Sequence, residues 1–150
     1  MIEAHDDFAS VATEGHKFVR FEVVNNSPKD AWCRAYLNAM WKNDGPLPLP
    51  KDAHFRLRPA RGGDIDYPEG YLIPSGGGAR LFHIANVLPD SNQLAIDSLE
   101  WEQLFKNHLT IDPGKYTLAI EVSGKDCPLT RTNIVVTFKG GYDVSIAKMR

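Results

Sequence analysis

Apolar side chains recur every second residue through most of this sequence. In LTIDPGKYTLAIEVSG, residues 109–124, Tyr116, Leu118, Ile120 and Val122 fall on one side of the period and Thr117, Ala119 and Glu121 on the other. Successive side chains of a strand point to opposite faces of a sheet, whereas a helix repeats every three to four residues. A chain written this way is committed to half-buried strands. KFVRFEVVNN places Val19, Phe21 and Val23 opposite Phe18, Arg20 and Glu22, and AWCRAYLNAMW places Cys33, Ala35 and Leu37 opposite Trp32, Arg34 and Tyr36. RLFHIANVL, TNIVVTF and YDVSIAKM extend the series, the last with Tyr142, Val144 and Ile146 in phase. In RLFHIANVL, His83 alternates with Leu81 and Ala85 against Phe82 and Ile84, which assigns it to an outer face. Asn, Pro and Gly bound these runs, as in NNSPKD after the first of them, where each residue type favours a turn for its own backbone reason.

Between Lys42 and Gly78 the alternation breaks down. NDGPLPLPKD, RPARGGDIDYPEG and IPSGGGAR are too rich in proline for a central strand or a helix. This segment reads as an elaborated connection with one or two short edge strands, at HFRLRP and GYLIP, that borders a sheet as an adaptable rim and stays out of the core. One stretch has helical spacing. SLEWEQLFKNHL puts Trp101, Leu104, Phe105 and His108 at i, i+3, i+4 and i+7, behind Ser98 as an N-cap. Short antiparallel strands, proline-rich turns and at most one short helix add up to an all-β sandwich. The 150 residues form one domain, 1–150, with 1–15 as a loosely ordered lead-in.

Two corners echo each other. LIPSGG precedes ARLFHIANV and TIDPGK precedes YTLAIEV, each an apolar residue, a proline and a glycine leading into an alternating run. A glycine there permits φ > 0 where the chain swings from one sheet to the other. Tyr116 follows the second corner directly. That is the setting of the tyrosine corner of immunoglobulin-like sandwiches, in which a phenol hydroxyl bonds to the backbone just upstream. Tyr116 is therefore expected to be structural and buried, with Leu109 and Ile111 entering the core. FVRFEVVNNSPKDAWCRAYL further resembles the opening hairpin of immunoglobulin-like or fibronectin type III-like accessory domains. LIPSGGGARLFHIANV resembles the step before their middle strand, and IDPGKYTLAIEVSG with TNIVVTF their closing hairpin. In particular, the chain from Lys17 to Gly140 resembles a domain of uncharacterised bacterial proteins, some with transmembrane helices upstream. The resemblance implies an antiparallel immunoglobulin-like β-sandwich and brings no catalytic or ligand residue with it.

Charge excludes several classes of function. With 17 basic and 19 acidic residues the net charge is −2, which leaves no general phosphate-binding surface and no nucleic-acid partner. No apolar run approaches the roughly 20 residues that span a bilayer. MIEAHDDFAS lacks the basic and apolar regions of a secretory leader. The expectation is a cytoplasmic chain that does not insert into a membrane, or the soluble part of a membrane-associated protein. Two cysteines are too few for a disulfide framework or a cysteine zinc site. Cys33 lies on the inward side of its run and Cys127 in a turn, GKDCPLT, so the two read as free thiols, with only Cys127 reactive; a disulfide between them is the alternative.

The residues that could carry chemistry do not converge in the sequence. His5, Asp6 and Asp7 open a terminal segment with no second cluster at ligand spacing. Asp64, Asp66 and Glu69 fall short of the roughly six oxygens that a Ca²⁺ loop supplies. SGGGAR runs into a strand without a Lys beside Ser or Thr, so it is no phosphate cradle, and no G-x-S-x-G elbow is present. No metal, cofactor or catalysis is expected. What remains is aromatic: Trp32, Tyr36, Trp41 and Tyr71, with Arg34 between the first two, all residue types enriched in binding hot spots. Open to solvent, the Trp32–Arg34–Tyr36 stripe suits a protein partner; covered by the long connection or the helix, it is a second core layer. As ring platforms with Trp41 and Tyr71 it suits a sugar or small ligand. The sequence thus supports a non-catalytic, protein-binding module of a larger system, with carbohydrate or small-ligand binding as the alternative. A hydrolase built on the 64–69 loop and a histidine comes third.

Overall fold

The computed structural model describes residues 2–4, 10–13, 16–42, 45–46, 55–59, 70–87, 92–96 and 109–148. Every regular element among them is a strand. In chain order these are β1 (Ile2–Ala4), β2 (Ser10–Thr13), β3 (His16–Asn25), β4 (Ala31–Lys42), β5 (Gly45–Pro46), β6 (Phe55–Arg56), β7 (Tyr71–Ile73), β8 (Gly78–Val87), β9 (Leu94–Ile96), β10 (Leu109–Ile111), β11 (Gly114–Gly124), β12 (Cys127–Gly140) and β13 (Asp143–Lys148). The helical spacing at 98–108 lies outside the described residues, and Leu109, its last position, begins β10. Two antiparallel sheets form. One runs β1–β3–β8–β9–β10, with β2 also on β3; the other runs β13–β12–β11–β4, with β5, β6 and β7 end to end along the far edge of β4.

The two-residue period decides what is buried. Val19, Phe21 and Val23 of β3 and Phe82 and Ile84 of β8 meet Leu37, Leu118, Ile120, Val136 and Phe138 of the other sheet in one core. Phe21 and Phe82 stack with centroids 5.8 Å apart. Each such side chain contributes about 1.5–3 kcal/mol by leaving water, which is what holds the sheets face to face as a β-sandwich.

The described pairings contain four register shifts, and two of them break the period in mid-strand. Against β3, the pairing of β8 steps from Ala85 to His83 and skips Ile84, so Ile84 and Ala85 are both buried. Ala85 therefore belongs to the core, while His83 stays on the outer side with its ring 4.8 Å from Phe18. Against β11, the pairing of β4 steps from Ala39 to Leu37 and skips Asn38. One extra residue reverses the facing of everything beyond it.

The proline- and glycine-containing corners are places where the chain changes sheets. β7 and β8 lie in different sheets, as do β10 and β11. At the first corner Gly76 and Gly77 take φ of 69° and 98°. At the second, Gly114 needs no left-handed backbone. A Cβ there would lie 2.9 Å from Lys42 Cε and 3.3 Å from the Tyr116 ring, so glycine makes room for the tyrosine. NNSPKD is a third crossing. β3 and β4 belong to different sheets, so the segment that resembles an opening hairpin is an arch between sheets. Asn25, fully buried, fastens it. Its Nδ2 donates to Lys29 O at 2.8 Å and Ile73 O at 3.0 Å, and its Oδ1 accepts from Ser27 N at 3.0 Å and Ser27 Oγ at 2.7 Å. All four hydrogen-bonding positions of the amide are used.

The long connection does supply edge strands, and it also enters the core. Phe55, Leu57, Tyr71 and Ile73 are buried. Leu57 N donates to Ala35 O at 2.8 Å and His83 N to Arg58 O at 2.8 Å, so this short run bonds to both sheets. The expected rim is thus partly interior. The reason is local: F-x-L and Y-x-I keep the two-residue period, while the prolines and glycines lie in sequence on either side of them.

Candidate functional site

On β4, Ala31, Cys33, Ala35 and Leu37 are fully buried and Trp32, Arg34 and Tyr36 point the other way, half-buried. Trp41 stands five residues beyond Tyr36, out of phase for a regular strand. The bulge at Asn38 restores the phase: Tyr36 pairs with Glu121 and Trp41 with Thr117, and residues four apart on β11 share a face. Trp32, Tyr36 and Trp41 therefore lie along one outer face, with Trp41 exposed at 38%. Ala39 and Ala119 pair between them, leaving a low centre in the stripe. Side-chain size and the bulge thus set the relief of the face.

Charge on this face is arranged by register. Arg56 of β6, Tyr36 of β4, Glu121 of β11 and Arg131 of β12 form one row across four strands. Arg131 Nε donates to Glu121 Oε1 at 3.1 Å; the carboxylate is buried and the guanidinium largely exposed. Arg34 pairs with Ser123 in the adjacent row. Lys125 holds its ammonium 5.7 Å from the Trp32 ring centroid, a cation–π contact at the end of the stripe. Among the described residues, Arg34, Arg56, Arg131 and Lys125 thus lie around the Glu121 carboxylate on this face, and Lys115 stands in phase with it further along β11. Glu121, Arg131, Arg56 and Lys125 were absent from the sequence-based site. The two-residue turn at Lys125–Asp126 would by itself pair Glu121 with Thr130; a register shift between Val122 and Gly124 brings Arg131 opposite instead, and no local sequence signal marks that shift.

The remaining expectations divide. Tyr71 is no surface platform: it is 8% exposed and meets Phe82 edge-on at 6.2 Å. It sits on the inward phase of β7, beside Cys33 in the β4 pairing. Tyr116 is buried, and its hydroxyl donates to Asp112 O at 2.6 Å. Ile111 is buried as well. His5 to Asp7 and the 64–69 carboxylates lie outside the described residues, as does Trp101. No helix among the described residues is long and apolar enough to cross a membrane.

Cys127 is not an isolated turn thiol. It is buried at the first position of β12, and its Sγ lies 2.9 Å from that of Cys33. The hairpin tip folds onto β4, with Trp32 N donating to Lys125 O at 3.0 Å, and this carries Cys127 over Cys33. The Cys33 thiol donates to Cys127. That hydrogen bond favours the Cys127 thiolate and lowers its pKa, against the opposing effect of burial. The same bond, with burial, pushes the Cys33 thiol up.

No family model, curated protein or solved structure matches the chain.

Proposed function

We propose that the chain is a non-catalytic, immunoglobulin-like interaction module that binds a protein partner through the outer face of β4, β11 and β12, as one part of a larger bacterial, membrane-associated system. The observation that carries the reading is the alignment of Trp32, Tyr36 and Trp41 on one face by the Asn38 bulge. Aromatic anchors beside arginines are the usual energetic centre of a protein interface. The excess of cationic groups around Glu121 selects a partner segment that carries carboxylates. The carbohydrate alternative uses the same aromatics and has one fewer, since Tyr71 is in the core.

The test uses Asn133, exposed on this face and paired with Ala119. Immobilised wild-type protein, Trp41→Ala, Asn133→Glu and Asn133→Lys are compared for the proteins each retains from native extract. A specific partner is retained by wild type and Asn133→Lys, and is lost from Trp41→Ala and Asn133→Glu at unchanged melting temperature. A partner retained equally by all four, or glycan binding that needs Trp41 with no protein retained, contradicts the proposal.

A further inference from the structure

The thiol pair stands apart from the binding face. Cys33 and Cys127 are separated by 94 positions in the chain and belong to two strands that are not hydrogen-bonded neighbours, with β11 between them. The hairpin tip, held by Trp32 N and Lys125 O, sets their sulfurs 2.9 Å apart. Their surroundings differ. Cys33 is fully buried in the sandwich core. Cys127 lines an open concavity of about 460 Å³, together with Pro28, Lys29, Asp126 and Pro128, between the hairpin and the arch that follows β3. A single thiol in either position would be a small apolar filler. Two in contact, one of them at the wall of an open hollow, have the placement that an attacking and a resolving thiol require.

We propose that Cys33 and Cys127 are a reversible dithiol–disulfide couple that takes a small-molecule or protein disulfide as its oxidant, with Cys127 reacting first. In the first step Cys127 Sγ, as thiolate, forms a bond to one sulfur of the incoming disulfide, whose S–S bond breaks and whose other sulfur leaves as a thiolate. In the second, the Cys33 sulfur attacks Cys127 Sγ and expels the remaining sulfur, which leaves as a thiol carrying the Cys33 proton. Two protein thiols are oxidised by two electrons and one external disulfide is reduced to two thiols. The lowered pKa of Cys127 suits it to the first step, and the donated Cys33 S–H holds its thiolate in place. The product ties the β11–β12 hairpin tip to β4 beside Trp32.

The test equilibrates the full chain in oxidised and then in reduced glutathione, quenches with acid, alkylates under denaturing conditions and measures intact mass. The expected result is a monomer lighter by two hydrogen atoms, a tryptic peptide pair joined through Cys33 and Cys127, and full reversal in the reduced buffer. Two single variants test the order of attack. Cys33→Ser accumulates a mixed disulfide with glutathione at Cys127, whereas Cys127→Ser leaves Cys33 unmodified while folded. Both thiols still alkylated after oxidised glutathione, a disulfide only between two chains, or a glutathione adduct forming as readily on Cys127→Ser would overturn the proposal. The wild-type mass measurement decides it even if a variant fails to fold.

Discussion

Replacing Tyr116 with Phe separates the two things the structure says this residue does. The ring is buried at the head of β11, under the corner where the chain leaves β10, and the hydroxyl reaches back to Asp112 O at 2.6 Å. Asp112 is exposed. Its carbonyl can therefore take a water in the variant, and the loss is the net value of one hydrogen bond, about 1 kcal/mol, without the added penalty of an orphaned buried group. Tyr116→Ala removes the ring as well and leaves a cavity among Leu118, Phe138 and the rest of the core, at a cost of about 3–5 kcal/mol. Urea unfolding followed by tryptophan fluorescence reads both. With a slope of about 2 kcal/mol per molar for a chain of this size, the midpoint falls by roughly 0.5 M for Phe and about 1.5–2.5 M for Ala. A Phe variant as stable as wild type would show that the hydroxyl does not lock the corner. An Ala variant as mild as Phe would show that the ring is not core, and the reasoning from alternation to burial would fail at that strand.

Asn25→Ala deletes four hydrogen bonds and strands the buried Ile73 carbonyl, so it should lower stability by about 2–4 kcal/mol in the same assay, far beyond a surface change. Asn25→Asp should be nearly as damaging, because a carboxylate cannot donate to Lys29 O and Ile73 O. Oxidation of the thiol pair closes a loop of 94 positions and should stabilise the fold by up to about 4.7 kcal/mol, read as the difference in urea midpoint with and without reductant. The pH dependence of Cys127 exchange has a definite sign. Its thiolate is favoured by a donor at position 33, so the rate of glutathione adduct formation should rise at lower pH in Cys33→Ser, which keeps a donor, than in Cys33→Ala, which does not. Coincident pH profiles for the two variants would remove the hydrogen bond as the cause.

Much of the fold was legible because alternation is a local property. The inward set on β4 and the inward sets on β3 and β11 follow from period two alone, and each is buried. What depended on long-range pairing was not. Nothing local in LNAMW says that Asn38 is skipped, and without that skip Trp41 would face inward. RLFHIANVL hides its bulge for the same reason, which is why Ala85 was placed outside. A proline-rich segment hides short core runs when composition is averaged over it, as at Phe55–Leu57 and Tyr71–Ile73. NNSPKD has the residues of a turn whether it closes a hairpin or crosses between sheets, and only the partner strands distinguish the two. The contact of Cys33 with Cys127 depends on three strands being in register, so reading each cysteine by its own neighbours left them apart.

The binding face is tested most directly by covalent footprinting of the protein alone and with the partner it retains from extract, because exposed large apolar side chains elsewhere serve as internal controls. Trp41 is 38% exposed on the face, while Tyr142 is 48% exposed in the turn before β13 and Leu129 is 58% exposed near the hairpin tip. Carbene labelling read by peptide mass spectrometry should fall at Trp41, Tyr36 and Arg131 when the partner is bound and stay constant at Tyr142. Protection at Tyr142 with unchanged labelling of Trp41 would place the partner on the β13 edge and contradict the account.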